Sequence, residues 1–127
     1  MKIFFKFIFH ISILFLIIIS VWPGSLLGYL FYGDFGHEPD LIKNPIGTTI
    51  NHFIYYTYVS LLCFFIYKKS KNFKKLVYGL FFLSIILELL QIIIPHRAFQ
   101  LGDLIGNILG VMVAYLVIKI YLFFDRS

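Results

Sequence analysis

An all-α integral membrane protein, built as a bundle of four transmembrane helices with both termini cytoplasmic, is the fold class that three observations predict. The 127-residue chain is 61% hydrophobic and 13% charged, against about half apolar and a quarter charged in soluble domains, and its mean hydropathy is +0.92. A water-soluble fold of this length would leave too much of that apolar content exposed. Four apolar runs approach the roughly 20 residues of helix that cross a bilayer core. The lysines, in turn, collect in alternate gaps between those runs, as the positive-inside rule requires.

The first run extends from Phe4 to Val21, where Trp22-Pro23-Gly24 breaks the helix before an interfacial continuation through Leu30. Met1-Lys2 ahead of an apolar stretch also has the outline of a secretory signal peptide. No small-x-small cleavage site precedes Trp22-Pro23, so a retained helix is expected. Residues 31–49, with Asp34, Glu38, Asp40 and Lys43, form an external loop. The second run spans Ile50 to Tyr67, the third Leu76 to Ile94 and the fourth Leu104 to Phe124, with Pro95 closing the third. The division is thus a first helix with its extension over 1–30, the external loop over 31–49, and a core of three transmembrane helices over 50–124.

The formal charge of +5 does not imply nucleic acid, because five basic residues (Lys68, Lys69, Lys71, Lys74 and Lys75) crowd between the second and third runs. That is a cytoplasmic loop, and the bilayer is the expected partner. Lys2, Lys6, Lys119 and Arg126 fall on the same side. Cys63 lies within an apolar run, has no intrachain disulfide partner, and is read as packing.

This topology brings His52, Glu88, Gln91, Asp103 and Asn107 into one zone beneath the outer face, with Arg97 in the short loop above. At 1.5 Å per residue Glu88 would sit about 9 Å below the outer end of a helix reaching Ile94. Glu88 and Gln91 are three apart, Asp103 and Asn107 four apart, so each pair shares a helix side. Arg97, able to bind a carboxylate through two nitrogens, is the natural counter-ion for Glu88 or Asp103. A mid-helix acid costs about 2.5 to 3.5 kcal/mol and each large apolar residue gains about 0.3 to 0.6 kcal/mol. A purely structural network of Arg97, Glu88 and Asp103 therefore stands beside a ligand-contacting one. Gln91 and Asn107 also suit helix-to-helix hydrogen bonding, and His52 alone would pass for an interfacial histidine.

No close pair of His or Cys ligands occurs, and His10, His37 and His96 are scattered, so neither a metal nor another cofactor is expected. The glycine-rich Gly-Lys-Ser/Thr phosphate loop is absent as well. Gly102, Gly106 and Gly110, continued by Ala114, make a ridge of small residues for close helix packing, within the chain or across a homodimer. Tyr29, Tyr32, Tyr55 and Tyr56 are expected to form an aromatic belt at the outer interface.

The pattern Glu88-x-x-Gln91, Pro95-x-Arg97, Asp103-x-x-x-Asn107-x-x-Gly110, preceded by His52-Phe53-x-x-Tyr56, resembles the VanZ-like family of small bacterial membrane proteins. The resemblance covers residues 48 to 120 in pattern and most of the chain in helix layout. It implies a multi-pass protein of the bacterial cytoplasmic membrane and cell envelope, in a family whose name-giving member is associated with low-level resistance to the glycopeptide antibiotic teicoplanin. It points to the same polar set of His52, Glu88, Gln91, Arg97, Asp103 and Asn107. Members commonly carry an Asp-Lys pair where this chain has Thr48-Thr49, and Pro-Gly-Arg where it has Pro95-His96-Arg97.

Three functional readings follow. In the first, an outward polar pocket binds a lipid-linked or cell-wall component, or an antibiotic interacting with one, with Arg97 on an anionic group. In the second, a membrane-embedded hydrolase or transferase uses Glu88 or His52 as general base. In the third, the chain is a structural or accessory subunit of a membrane complex, docked through the glycine ridge. The lack of a serine or cysteine nucleophile beside the polar set favours binding.

Overall fold

In the computed structural model, which describes residues 1–126, the chain forms five helices and, among those residues, no strand. They are α1 (Lys2–Val21), α2 (Leu26–Tyr32), α3 (Thr49–Tyr67), α4 (Phe73–Leu90) and α5 (Leu101–Asp125). α1, α3 and α5 are long and apolar enough to cross a membrane, whereas α4 is 18 residues long and carries Lys74, Lys75 and Glu88.

Proline chemistry sets the first break. Pro23 disfavours helical backbone at the residue before it, and Trp22 is extended at φ −69°, ψ 132°. Gly24 then adopts a φ of 78°, and a side chain there would meet the Phe35 carbonyl oxygen at 2.8 Å. Ser25 caps α2 by accepting the Gly28 N–H at 2.9 Å, satisfying one of the donors a helix start leaves unpaired.

α1 and α4 run toward one end of the bundle, α3 and α5 away from it. Ser12 of α1 meets Tyr58 of α3 at 2.9 Å, and Gln91, just after α4, reaches the Ser20 carbonyl at 3.5 Å. At the opposite end Lys6 lies over the Tyr67 ring and Lys68 bonds the Tyr121 hydroxyl. The lysines other than Lys43 thus gather at one end of the bundle and the polar residues at the other.

α3 and α5 run parallel and nearly touch through their backbones. A Cβ on Gly106 would lie 2.6 Å from the Thr49 carbonyl oxygen, and one on Gly110 would lie 2.8 Å from that of Phe53. One on Gly102 would meet the Thr49 hydroxyl at 2.7 Å. The glycine ridge therefore faces α3 of the same chain. Around this seam Tyr56, Val59, Cys63 and Phe64 of α3 pack with Val111, Ala114 and Ile118 of α5, and with Leu80 and Leu87 of α4. The outward faces are apolar too. Ile3, Phe4, Phe7, Ile11, Leu14 and Ile18 form an exposed stripe along α1, and Ile105, Leu109, Met112 and Leu116 form another on α5. Stripes of this size suit lipid rather than water.

Two expectations change. α4 ends at Leu90 instead of Ile94, because the N–H groups of Gln91, Ile92 and Ile93 bond the carbonyls three residues back and tighten the chain into turns. Glu88 consequently sits in the last helical turn. Tyr56 is no belt residue: it is 2% exposed, since it lies one turn beyond His52 on the inward face of α3, while Tyr29 and Tyr32 are exposed. Tyr55 is half-buried and donates to the Ser12 carbonyl at 3.2 Å.

His96 has a φ of 60°, a left-handed conformation that costs residues other than glycine about 1 to 2 kcal/mol. Glycine is the residue that the VanZ-like pattern more usually places there. His96→Gly is therefore expected to raise unfolding stability by about 1 kcal/mol, read by denaturant titration in detergent. A variant of unchanged or lower stability would mean that the exposed imidazole itself holds the turn.

Candidate functional site

The polar residues meet where α3 and α5 begin and α4 ends, so three helices deliver them to one place. Asn107 is the hub. Its Nδ2 donates to the Ser84 carbonyl of α4 at 3.1 Å, and its Oδ1 contacts His52 Nδ1 of α3 at 2.8 Å. A carbonyl oxygen only accepts, so Ser84 fixes the orientation of the amide, and Oδ1, an acceptor, must receive the proton of His52 Nδ1. The other ring nitrogen, Nε2, faces Asp103 Oδ2 at 3.4 Å, and Nδ1 also lies 3.8 Å from Glu88 Oε2.

Each carboxylate has a distinct setting. Asp103, buried in the first turn of α5, accepts from the Thr48 hydroxyl at 3.2 Å and the Thr49 hydroxyl at 3.4 Å. The helix start favours its negative charge. The two threonines that replace the Asp-Lys pair thus hold the acid of the site. Glu88 is 1% exposed; its Oε1 accepts the Gln100 N–H at 3.2 Å, and its Oε2 has no hydrogen-bond partner among the described residues. One ligand atom from each of His52, Glu88 and Asp103 lies within 4.8 Å of the others, the geometry of a set able to hold a metal ion.

Arg97 departs from the expected role of counter-ion. Among the described residues no carboxylate lies within ion-pairing distance of it; the ion pairs at the site are those of His52. Instead Nη1 donates to the Gly24 carbonyl at 2.8 Å and Nε to Gln91 Oε1 at 3.3 Å. The reason is the early end of α4, which lets the connection to α5 fold Arg97 back over the α1–α2 break. Gln91 completes that strap through Ser20.

Two openings reach this region. A polar cleft of about 190 Å³ is lined by Gly24, Glu38, Gln91, Arg97, Gln100 and Asp103 among others. A narrower cavity of about 50 Å³ between α1, α2 and α3 includes Ser25, His52, Tyr56 and Arg97. Arg97 borders both, while Glu88 and Asn107 border neither. The six residues are thus brought together in two layers, an accessible one and a sealed one.

A profile of the VanZ/LLP1 family matches residues 4–123. The chain belongs to the VanZ/LLP1 family. No curated protein and no solved structure matches it. Membership and the three long apolar helices together point to a membrane protein.

In this VanZ/LLP1 protein, sequence reasoning passed over several residues that build the site. Asn51, 5% exposed, pins the 33–48 segment by accepting the Leu41 N–H at 2.9 Å and donating to the Pro39 carbonyl at 2.7 Å. Its signal was adjacency to His52 at a helix start. Ser84 precedes Glu88 by one helical turn, a spacing that marked it as facing the same way. The roles of the Gly24 and Ser20 carbonyls had no signal, since any residue supplies a carbonyl.

Proposed function

We propose that this VanZ/LLP1 protein crosses the cell membrane four times and uses its polar end, open to the outer face, to bind the anionic group of a lipid-linked or cell-wall component. α4 is the fourth span in this reading. Its lysines stand at the start of the helix and its acid near the end is enclosed, so neither is presented to hydrocarbon. The lysine-rich end, with both termini, faces the cytoplasm.

The observation that carries the proposal is Arg97: a half-buried guanidinium bordering both openings, held by a backbone carbonyl and an amide, with no carboxylate among the described residues at ion-pairing distance. Such a group recognises phosphate or carboxylate strongly, because its N–H donors form a planar fork. An outer-leaflet polyprenyl phosphate offers that headgroup, with an apolar tail that suits the exposed stripes beside it. Through such a ligand the protein would alter the response of the envelope to glycopeptides such as teicoplanin.

The test is binding of a polyprenyl phosphate to the full chain in lipid nanodiscs. Arg97→Gln is expected to weaken it at least about tenfold, as for loss of a charged hydrogen bond of about 1.5 to 3 kcal/mol, while Lys43→Gln on the exposed loop leaves it unchanged. Equal affinity in the two variants would remove Arg97 from recognition.

A further inference from the structure

We propose that His52, through Nε2, and one carboxylate oxygen each of Glu88 and Asp103 form a binding site for one divalent transition-metal cation, of which Zn²⁺ is the representative. No two of these ligands are near in sequence; α3, α4 and α5 contribute one each.

Ser84 fixes the amide of Asn107, whose Oδ1 claims the proton on His52 Nδ1. That places the lone pair of a neutral imidazole on Nε2, and Nε2 faces a carboxylate oxygen at 3.4 Å. Two lone pairs set against each other need a cation between them, either a proton on Nε2, which makes the ion pair described above, or a metal ion. This is also how proteins prepare a histidine for metal: the nitrogen not bound to the ion donates to a fixed acceptor, which orients the ring.

Glu88 supplies an independent observation. One of its oxygens is engaged by the Gln100 N–H, yet Oε2 is buried, turned toward the imidazole, and without a hydrogen-bond partner among the described residues. A carboxylate oxygen in that position has lost water and gained only the edge of the imidazole at 3.8 Å, too long for a hydrogen bond, which is costly unless a closer positive ligand meets it. Arg97 does not, since it is directed to Gly24 and Gln91.

Distances and donor types fit. One ligand atom per residue lies within 4.8 Å of the other two. Tetrahedral zinc, with bonds of about 2.0 to 2.2 Å, places its ligand atoms about 3.4 Å apart; His52 Nε2 and Asp103 Oδ2 already stand at 3.4 Å, and Glu88 closes the set by a side-chain movement of up to about 1.4 Å. One imidazole and two carboxylates suit a first-row divalent ion better than Mg²⁺ or Ca²⁺, which prefer oxygen alone. Asp103 borders the polar cleft, which gives the ion a way in and leaves its fourth position open to water or an anion. The site stands apart from the lipid-ligand reading, because metal uptake is measured with no lipid phosphate present.

The experiment uses the full chain in nanodiscs, stripped with a chelator and dialysed against Zn²⁺, with bound metal counted by atomic emission. One Zn²⁺ per chain is expected, together with a zinc-dependent rise in melting temperature. Glu88→Gln, Asp103→Asn and His52→Ala are each expected to weaken binding at least tenfold. Since a variant can fail to fold, X-ray absorption at the zinc edge of the unaltered protein provides a second reading: one imidazole with oxygen ligands is expected. No uptake by the unaltered chain, with NMR showing a proton on His52 Nε2, would overturn the proposal. So would uptake that survives any of the three substitutions in folded protein, or an edge spectrum without imidazole.

Discussion

Gly106→Leu is expected to remove nearly all folded protein from the membrane, at a cost above about 3 kcal/mol, the upper end for overpacking a core. The first added carbon alone would sit 2.6 Å from the Thr49 carbonyl oxygen and 3.4 Å from the Phe53 nitrogen. Both are backbone atoms and cannot turn aside as a side chain would, so α3 and α5 must separate. Separation takes the start of α3 away from Asp103, and with it the site. The control is the same change at Gly79 of α4, where an added carbon meets nothing within 4 Å. Gly79→Leu is expected to leave abundance unchanged or raise stability by up to about 1 kcal/mol, the helix penalty of glycine. Both are read as abundance and melting temperature in detergent, and equal behaviour of the two variants would contradict the account of the seam.

Asn107→Leu acts in the opposite way, with a small effect on folding and a large one on function. Two hydrogen bonds are lost, to His52 and to Ser84. Bonds of this kind in membrane proteins average about 0.6 kcal/mol, so a loss of about 1 kcal/mol is expected and the chain still folds. The imidazole, however, loses the acceptor that sets its ring orientation. Binding of a polyprenyl phosphate is expected to fall at least tenfold at normal abundance, with lost influence on glycopeptide susceptibility in a host lacking its own copy. Normal binding at normal abundance would show that the sealed layer plays no part in recognition.

What the sequence disclosed and what it withheld divide along physical lines. The long helices were legible because apolar runs, Pro23 and the lysine cluster mark their limits, although Pro95 placed the end of α4 four residues too late, and the α5 ridge was legible because small residues four apart have one main use in lipid. The convergence of His52, Glu88, Asp103 and Asn107 was also legible, since helix direction and depth follow from charge and length. Pairing was not. A guanidinium beside two acids reads as a salt bridge in one dimension, yet three i to i−3 hydrogen bonds after Leu90 turn the chain so that Arg97 meets carbonyl oxygens instead. The histidine, placed one turn into α3, takes the position between the acids. A potential metal set went unread for the same reason: its members come from three helices, and spacing rules see ligands only within one.

Which way the polar end faces is tested directly by cysteine labelling in intact cells. On a Cys63→Ala background, single cysteines are placed at Asp40 and Ala98 by the polar end and at Lys71 and Arg126 by the lysine end, all at exposed positions. A membrane-impermeant thiol reagent is expected to label Asp40→Cys and Ala98→Cys from outside, and to reach Lys71→Cys and Arg126→Cys only after the membrane is opened. Labelling of Lys71→Cys in intact cells, with Asp40→Cys protected, would place the polar chamber at the cytoplasmic face and contradict the account.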